Sequence, residues 1–253
     1  MSEPAGEVAI EEPPARAELE IPSTLPILPL RETVVFPESM SPLAIGQERS
    51  IRLIDEAVAG NRLIALVASR DPDKEEPGAA DLYTIGTAAV IHRMLRVPDG
   101  TLRILVQGAR RITVERIVQE DPYFVGEVTE VPDIVPETIE VEALSKNVQN
   151  LFSRIVDLAP YLPPELELAV ANVDTPGELT YLIASTMRLK VEEKQALLEE
   201  ANIEDRLRRL NEILSREVEE YELGAKIQSQ VQSEIDKSQR EYFLRQQLKA
   251  IQA

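Results

Sequence analysis

Few residues in this chain have the types and spacing that reaction chemistry needs. There is one histidine, His92, and no cysteine. A single imidazole without thiolates cannot build a tetrahedral zinc site, and the lack of cysteine removes disulfides and thiol nucleophiles. His92 therefore reads as a surface or interface residue. Paired carboxylates recur at Glu11–Glu12, Glu75–Glu76, Glu192–Glu193 and Glu199–Glu200. Adjacent residues point apart on a helix, and no partner base is implied for any pair, so these read as solvated faces. No Gly-x-x-x-x-Gly-Lys-Ser/Thr loop is present to cradle nucleotide phosphates, and no Gly-x-Ser-x-Gly elbow to present a nucleophile. No catalytic, cofactor-binding or metal-ligating residue is assigned.

What remains is binding. One candidate surface is the polar face of a short helix, with Glu48, Arg49 and Arg52. A second is a hairpin carrying Met94, Leu95 and Val97, where the flexible thioether of methionine suits varied apolar segments. A third is Tyr242, Phe243, Leu244 and Leu248, placed to dock on a neighbouring module. The stretch from Lys237 to Arg245 mixes bases with aromatics, as nucleic-acid surfaces do, but Asp236 and Glu241 dilute it. The whole chain carries 45 acidic against 27 basic residues, a net charge of −18. That balance opposes binding to nucleic acid or to an anionic membrane. No basic start followed by an apolar run marks a signal peptide, and no apolar run approaches the roughly 18 residues of a membrane span. With no cysteine and no signal, the expected location is cytoplasmic.

The elements that hold these residues can be read in order. Hydrophobic residues make up 43% of 253, aromatics 4%, and tryptophan is absent. The core must therefore come mainly from Leu, Ile, Val and Ala. Residues 1–24 are acidic and proline-rich and are expected to be a disordered tail. Order is expected from Leu25. Prolines at 26 and 29 mark Leu25–Arg31 as an edge strand or irregular lead-in, followed by short strands at Val34–Phe36 and Pro42–Ile45. A helix from Gln47 to about Ala59 buries Ile51, Ile54 and Val58. Leu63–Ala68 is nearly continuous in apolar residues and reads as a strand covered on both faces. Tyr83–Arg96 and Thr101–Gln107 flank Pro98-Asp99-Gly100, a strong hairpin signal. Alternation continues through Ile112 and Val114, and Phe124–Val131 adds another strand. Residues 25–132 thus form a β-rich domain of about six strands with one helix.

From about Pro136 the period changes to that of helices. Leu144, Val148, Leu151, Ile155 and Leu158 make one stripe. Thr175-Pro176-Gly177-Glu178 is a capping box with proline at the first helical position, opening a helix that buries Leu179, Leu182, Ile183, Thr186 and Met187. Leu197 and Leu198 lie on another. Residues 133–201 are read as a helical bundle. Residues 202–253 read as one helix capped by Asn202, about 75 Å long. Its dense stripe runs from Ile203 to Ala225, thins to Ile227, Val231 and Ile235, and thickens again at Tyr242, Phe243, Leu244, Leu248 and Ile251. A free coiled coil fits poorly, because the spacing drifts and Gly224 and a cluster of glutamates sit mid-helix. A strut docked at its two ends fits better. The pattern stops without a cap, so the helix is expected to lead into a further module.

The run Lys237-Ser238-Gln239-Arg240-Glu241-Tyr242-Phe243-Leu244-Arg245-Gln246-Gln247-Leu248-Lys249-Ala250-Ile251-Gln252 resembles the end of the N-terminal region of Lon, the ATP-dependent serine protease family. Leu28-Pro29-Leu30-Arg31, Val34-Val35-Phe36-Pro37, Gly46-Gln47-Glu48-Arg49-Ser50-Ile51, Asp81–Thr87 and Pro98-Asp99-Gly100-Thr101 are similar to the same region. The resemblance runs from about residue 25 to the end. It implies an α+β chain: a β-rich PUA-like pseudo-barrel, a helical bundle and one very long helix leading to an ATPase module. It implies a non-catalytic role, capturing unfolded or damaged proteins and supporting a hexamer. ATP, Mg and a Ser–Lys dyad would belong to later domains of the parent protein. A stand-alone Lon-like binding module with no enzyme attached is the alternative.

Overall fold

The structure is a computed structural model and describes residues 19–251, with side-chain surroundings to Gln247. Most of the expected tail, residues 1–18, lies outside the described residues. Leu19 and Ile21 already pack against the sheet, so packing begins ahead of Leu25.

Six strands form one sheet: β1 (Thr24–Leu30), β2 (Met40–Ile45), β3 (Leu63–Ala68), β4 (Ile85–Arg96), β5 (Leu102–Gln119) and β6 (Phe124–Glu130). Their order is β2-β5-β4-β3-β1-β6, and β6 pairs again with β5. Five strands therefore close into a barrel, and β2 hangs on the first half of β5. The closure depends on β5, which is 18 residues long. Its first part pairs with β2 over Leu102–Gln107 and its last part with β6 over Ile112–Gln119. Bulges near Ala88, Arg93, Arg116 and Gln119 add the local bend that a small barrel needs.

Side-chain alternation gives the sheet two cores. Leu25, Ile27, Ala65, Val67, Ala88, Ile112 and Phe124 form one, drawn from the five strands that close. Leu28, Ile64, Leu66, Ile91 and Ile104 form the other, beneath helix α1 (Glu48–Ala59). β3 contributes to both and is buried along its whole length, as its continuous apolar run predicts. On α1 the buried stripe is rotated from the expected one. Leu53, Ile54 and Ala57 are buried, while Ile51 and Val58 are half-buried.

Two strand expectations are corrected. β1 is internal, lying between β3 and β6. The Leu30 carbonyl accepts from Ser69 N–H and the Ser23 carbonyl from Val128 N–H, so even-numbered residues of β1 face β3 and odd-numbered ones face β6. The β3 ladder spans Ile27–Leu30 and the β6 ladder Thr24–Ile27. Pro26 faces β3 before that ladder starts, and Pro29 faces β6 after that one stops. Neither proline removes a bond the sheet makes, which is why an internal strand tolerates both. Val34–Phe36 is not a strand. It is an irregular, fully buried segment that crosses between the sheet and the helices.

Helices follow: α2 (Ile139–Leu158), α3 (Glu165–Ala171), α4 (Pro176–Thr186), α5 (Val191–Glu199) and α6 (Ile203–Ile251). The expected caps form. Thr175 accepts from Glu178 N–H, with proline at the first turn, and Asn202 Oδ1 accepts from Glu204 N–H at 3.0 Å. Thr138 caps α2. Val148, Leu151, Ile155, Leu179, Ile183, Leu197 and Leu198 pack with Ile203, Leu207, Leu210, Leu214 and Val218 of α6. Val34 and Phe36 join this cluster, and the Phe36 ring lies 5.9 Å from that of Tyr181. α6 has 49 residues, about 74 Å at 1.5 Å per residue. Its first five turns are docked. From Glu222 to Gln247 every residue is exposed, so among the described residues the strut is anchored at one end only.

Candidate functional site

The expected helix face and hairpin are placed side by side. Arg96, at the end of β4, donates to both carboxylate oxygens of Asp55 on α1, at 2.9 and 3.0 Å. On the other flank of α1, the Tyr123 hydroxyl bonds to Glu56. Toward the N-terminus of α1, Gln47, Glu48, Arg49 and Arg52 line a shallow depression of about 320 Å³, together with Glu76, Asp121 and Pro122.

The residues differ in how available they are. Arg49 is committed: it donates to the Glu120 carbonyl at 2.8 Å, and its guanidinium lies 4.2 Å from the Phe124 ring centroid. Arg52 and Glu48 are exposed and form a loose 3.7 Å pair, an interaction of at most a few tenths of a kcal/mol on a helix surface. On the hairpin, Met94 packs against the core under α1, and Val97 is half-buried in the turn. Leu95 is the one that faces solvent, 44% exposed. The turn itself forms as expected, with Gly100 at φ 88° and Asp99 accepting from Thr101 N–H and hydroxyl. His92 is half-buried beside β5, with Nε2 2.7 Å from Gln107 Oε1.

On distal α6, Tyr242, Phe243 and Leu244 are all more than half exposed. Leu248 lies beyond the described side chains. Leu223, Ile227, Val231 and Ile235 are exposed as well. Among the described residues no helix is long and apolar enough to cross a membrane.

The sequence expectations missed the most concentrated polar cluster. Arg206 of α6 is 0% exposed and Arg111 of β5 is 3% exposed. Both converge on Asp133 in the segment joining sheet to helices. Arg206 meets its two oxygens at 2.6 and 3.1 Å, and Arg111 meets one at 3.0 Å. Remaining donors are satisfied by carbonyls: Arg206 Nε and Arg111 Nη1 both reach Glu200 O, at 2.8 and 2.9 Å. Arg111 also reaches Val131 O and Pro132 O. The Tyr181 hydroxyl donates to Asp133 at 3.2 Å, and its ring lies beneath the Arg206 guanidinium. One carboxylate thus pins the barrel, the linker, α4 and α6 together. The available signal was Arg206 itself, a charge on the buried stripe between Ile203 and Leu207.

Burial pushes the Tyr181 hydroxyl up to about 12, with the Arg206 charge opposing and Asp133 adding. The unfolded group titrates near 10. Between these values the folded state holds a proton that the unfolded state has lost, so stability falls as pH rises from about 10 to 12 and is unaffected below. At about 1.4 kcal/mol per unit, this group accounts for roughly 2–3 kcal/mol. Tyr181→Phe is expected to flatten the alkaline limb of a stability–pH curve measured by urea unfolding. An unchanged slope would contradict this. Tyr221, likewise pushed up to about 12, is half-buried and leaves a smaller residual slope.

Comparison with known proteins places this architecture. The fold is that of Lon N-terminal domains. The structure of the N-terminal domain of a Mycobacterium avium complex Lon protease superposes with TM-score 0.63 at 24% identity, covering 76% of this chain and 98% of that one. The Xanthomonas campestris Lon N-terminal domain superposes with TM-score 0.54 at 21% identity, over 74% of this chain and 96% of that one. Residues 24–216 match the family described as the ATP-dependent protease La (LON) substrate-binding domain, and the chain belongs to that family. It is 46% identical over 233 residues to the Lon protease of Dictyoglomus thermophilum and 44% identical over 236 residues to Lon protease 1 of Herpetosiphon aurantiacus. These alignments cover 92% and 91% of this chain but 29% of each relative. The chain therefore spans under a third of the length of the relatives it matches.

Proposed function

We propose that this chain is the non-catalytic part of a Lon-type ATP-dependent protease that captures unfolded or damaged protein. It works in cytoplasmic protein quality control and supports assembly of a hexamer. The observation that carries this is the family match over residues 24–216 to a substrate-binding domain. The surface fits the role. Capture of varied segments favours shallow, mixed patches over one deep pocket, and the α1 face and the adjoining hairpin offer such a surface, with Met94 and Arg96 turned toward α1 and Leu95 on the hairpin's other face. Glu48, Arg49, Arg52, Met94, Leu95 and Val97 are its proposed members, with Arg49 and Met94 acting mainly as supports. The proposed units are a head at 25–132, a bundle at 133–201 and a strut at 202–253. Tyr242, Phe243, Leu244 and Leu248 are proposed to dock on an ATPase module. Peptide hydrolysis by a Ser–Lys dyad, ATP and Mg²⁺ are assigned to modules of the longer protein, because this sequence has no phosphate-binding loop. Its net charge of −18 argues against nucleic acid as a ligand.

A photocrosslinking residue at Leu95 or Arg52 is expected to capture an unfolded polypeptide. The same residue at Leu168, a more exposed apolar position on α3, is expected to capture little. Equal capture at all three positions would overturn the assignment of this patch.

A further inference from the structure

The N-terminus of α1 is left open. Gln47 occupies the cap position in extended conformation, but its side chain makes no capping bond. Instead its amide donates to the Glu75 carbonyl, which holds it away from the helix end. Ile51 is the first residue whose N–H bonds back, to the Gln47 carbonyl. The N–H groups of Glu48, Arg49 and Ser50 are therefore without helical partners. The side chain of Ser50 is the second observation. It is only 7% exposed, it lines a pocket of about 510 Å³, and among the described residues its hydroxyl has no hydrogen-bond partner. The buried side-chain atom without a partner among the described residues is Gln195 Oε1, so the Ser50 hydroxyl opens on the solvent of the pocket, where a ligand can reach it, and a helix N-terminus favours negative charge.

The pocket lies beside a free strand edge. Among the described residues β2 pairs with β5 alone. Gly108 N–H donates to the Ser39 carbonyl, so odd-numbered residues of β2 face β5, while Pro42 and Ala44 turn their backbone outward into the pocket wall. A chain lying along that edge in the direction of β2 ends at the α1 N-terminus. Arg31 also lines the pocket, as do Glu32 and Glu75. Two carboxylates against one guanidinium disfavour a dianion such as phosphate. A single carboxylate on an extended apolar chain suffers less.

We propose that this pocket binds the C-terminal carboxylate of an extended polypeptide, with the open N–H groups of α1, the Ser50 hydroxyl and Arg31 as donors. This rests on the substrate-capture role and names a subsite for it. The test uses an apolar decapeptide ending in a free carboxylate, and its C-terminal amide, each titrated against the whole chain by fluorescence anisotropy. The free acid is expected to bind at least about tenfold tighter, the effect of a charge-assisted hydrogen bond. Ser50→Ala and Arg31→Gln are each expected to shrink that ratio several-fold. Gln47→Asp is expected to cap the helix internally, raising Tm while bringing the ratio to one. Equal binding of acid and amide would overturn the proposal, as would Gln47→Asp raising Tm with the ratio intact. So would inorganic phosphate displacing the peptide better than acetate does. An unfolded protein with a blocked C-terminus separates the two levels. If it binds while acid and amide do not differ, only the carboxylate subsite falls. If no polypeptide binds, the capture role falls with it.

Discussion

Asp133→Ala is expected to cost about 3–5 kcal/mol of folding free energy, the usual penalty for breaking a buried ion pair from one side. Arg206 and Arg111 are fully buried, and Asp133 is the carboxylate both guanidiniums touch. Without it, two cations remain in low dielectric with carbonyls, the Thr180 hydroxyl and the Tyr181 ring around them and no counter-charge in contact. A domain's total stability is about 5–15 kcal/mol, so a large part of it would be lost. Burial already pulls Arg111 below its ordinary range, against the pull of Tyr181 and Asp133, yet arginine does not shed its proton near neutrality. It therefore cannot escape the penalty by becoming neutral. Asp133→Ala combined with Arg111→Met and Arg206→Met is expected to recover much of the loss, since apolar replacements of similar volume often match a buried pair. Urea unfolding measures all of these. A loss below about 1 kcal/mol for Asp133→Ala, the range of an exposed pair, would show that the cluster is not what joins barrel to bundle.

Gly108→Ala is expected to destabilise by about 3 kcal/mol or more, at the upper end of overpacking. Gly108 sits where β5 passes from its β2-paired half to its β6-paired half. A Cβ there would stand 2.1 Å from the Phe36 carbonyl oxygen and 2.9 Å from its carbon. Both are backbone atoms of a segment that is buried and bonded on both sides. Glu38 N–H donates to the Gly108 carbonyl and Gly108 N–H to the Ser39 carbonyl. No side chain can swing away, so the crossing segment must move as a unit and take Phe36 out of the helical core. Gly224→Ala is the internal control. Nothing lies within 4 Å of that Cβ, and the change should stabilise slightly, by under about 1 kcal/mol. Equal behaviour at the two glycines would contradict the close approach.

These two positions show where sequence patterns stop being informative. Periodicity places β4, α2 and the docked part of α6, because each has an apolar face of regular spacing, and β3 is placed by its continuous apolar run, buried on both faces. Turn chemistry places Asp99-Gly100 and the Thr175 cap, because those residues act on their own neighbours. Val34–Phe36 looks like a strand by composition, but its apolar content reflects crossing between two cores. Prolines 26 and 29 point to an edge, and only the staggered ladders reveal an internal strand that makes no use of their missing N–H groups. Arg111 and Arg206 are 95 positions apart, and nothing local relates them to Asp133. The proposed binding surface was partly legible. Arg52 and Leu95 are exposed as expected, while Arg49 and Met94 turn out to be engaged by Phe124 and by the core under α1.

The most direct test of the central claim is a binding titration of the whole chain against one protein presented both natively folded and stably unfolded. Binding to the unfolded form alone, weakened when Arg52 and Leu95 are replaced together by Glu and Asp, is the predicted result. Equal binding to both forms, or binding to neither, would contradict a role in capturing unfolded polypeptide.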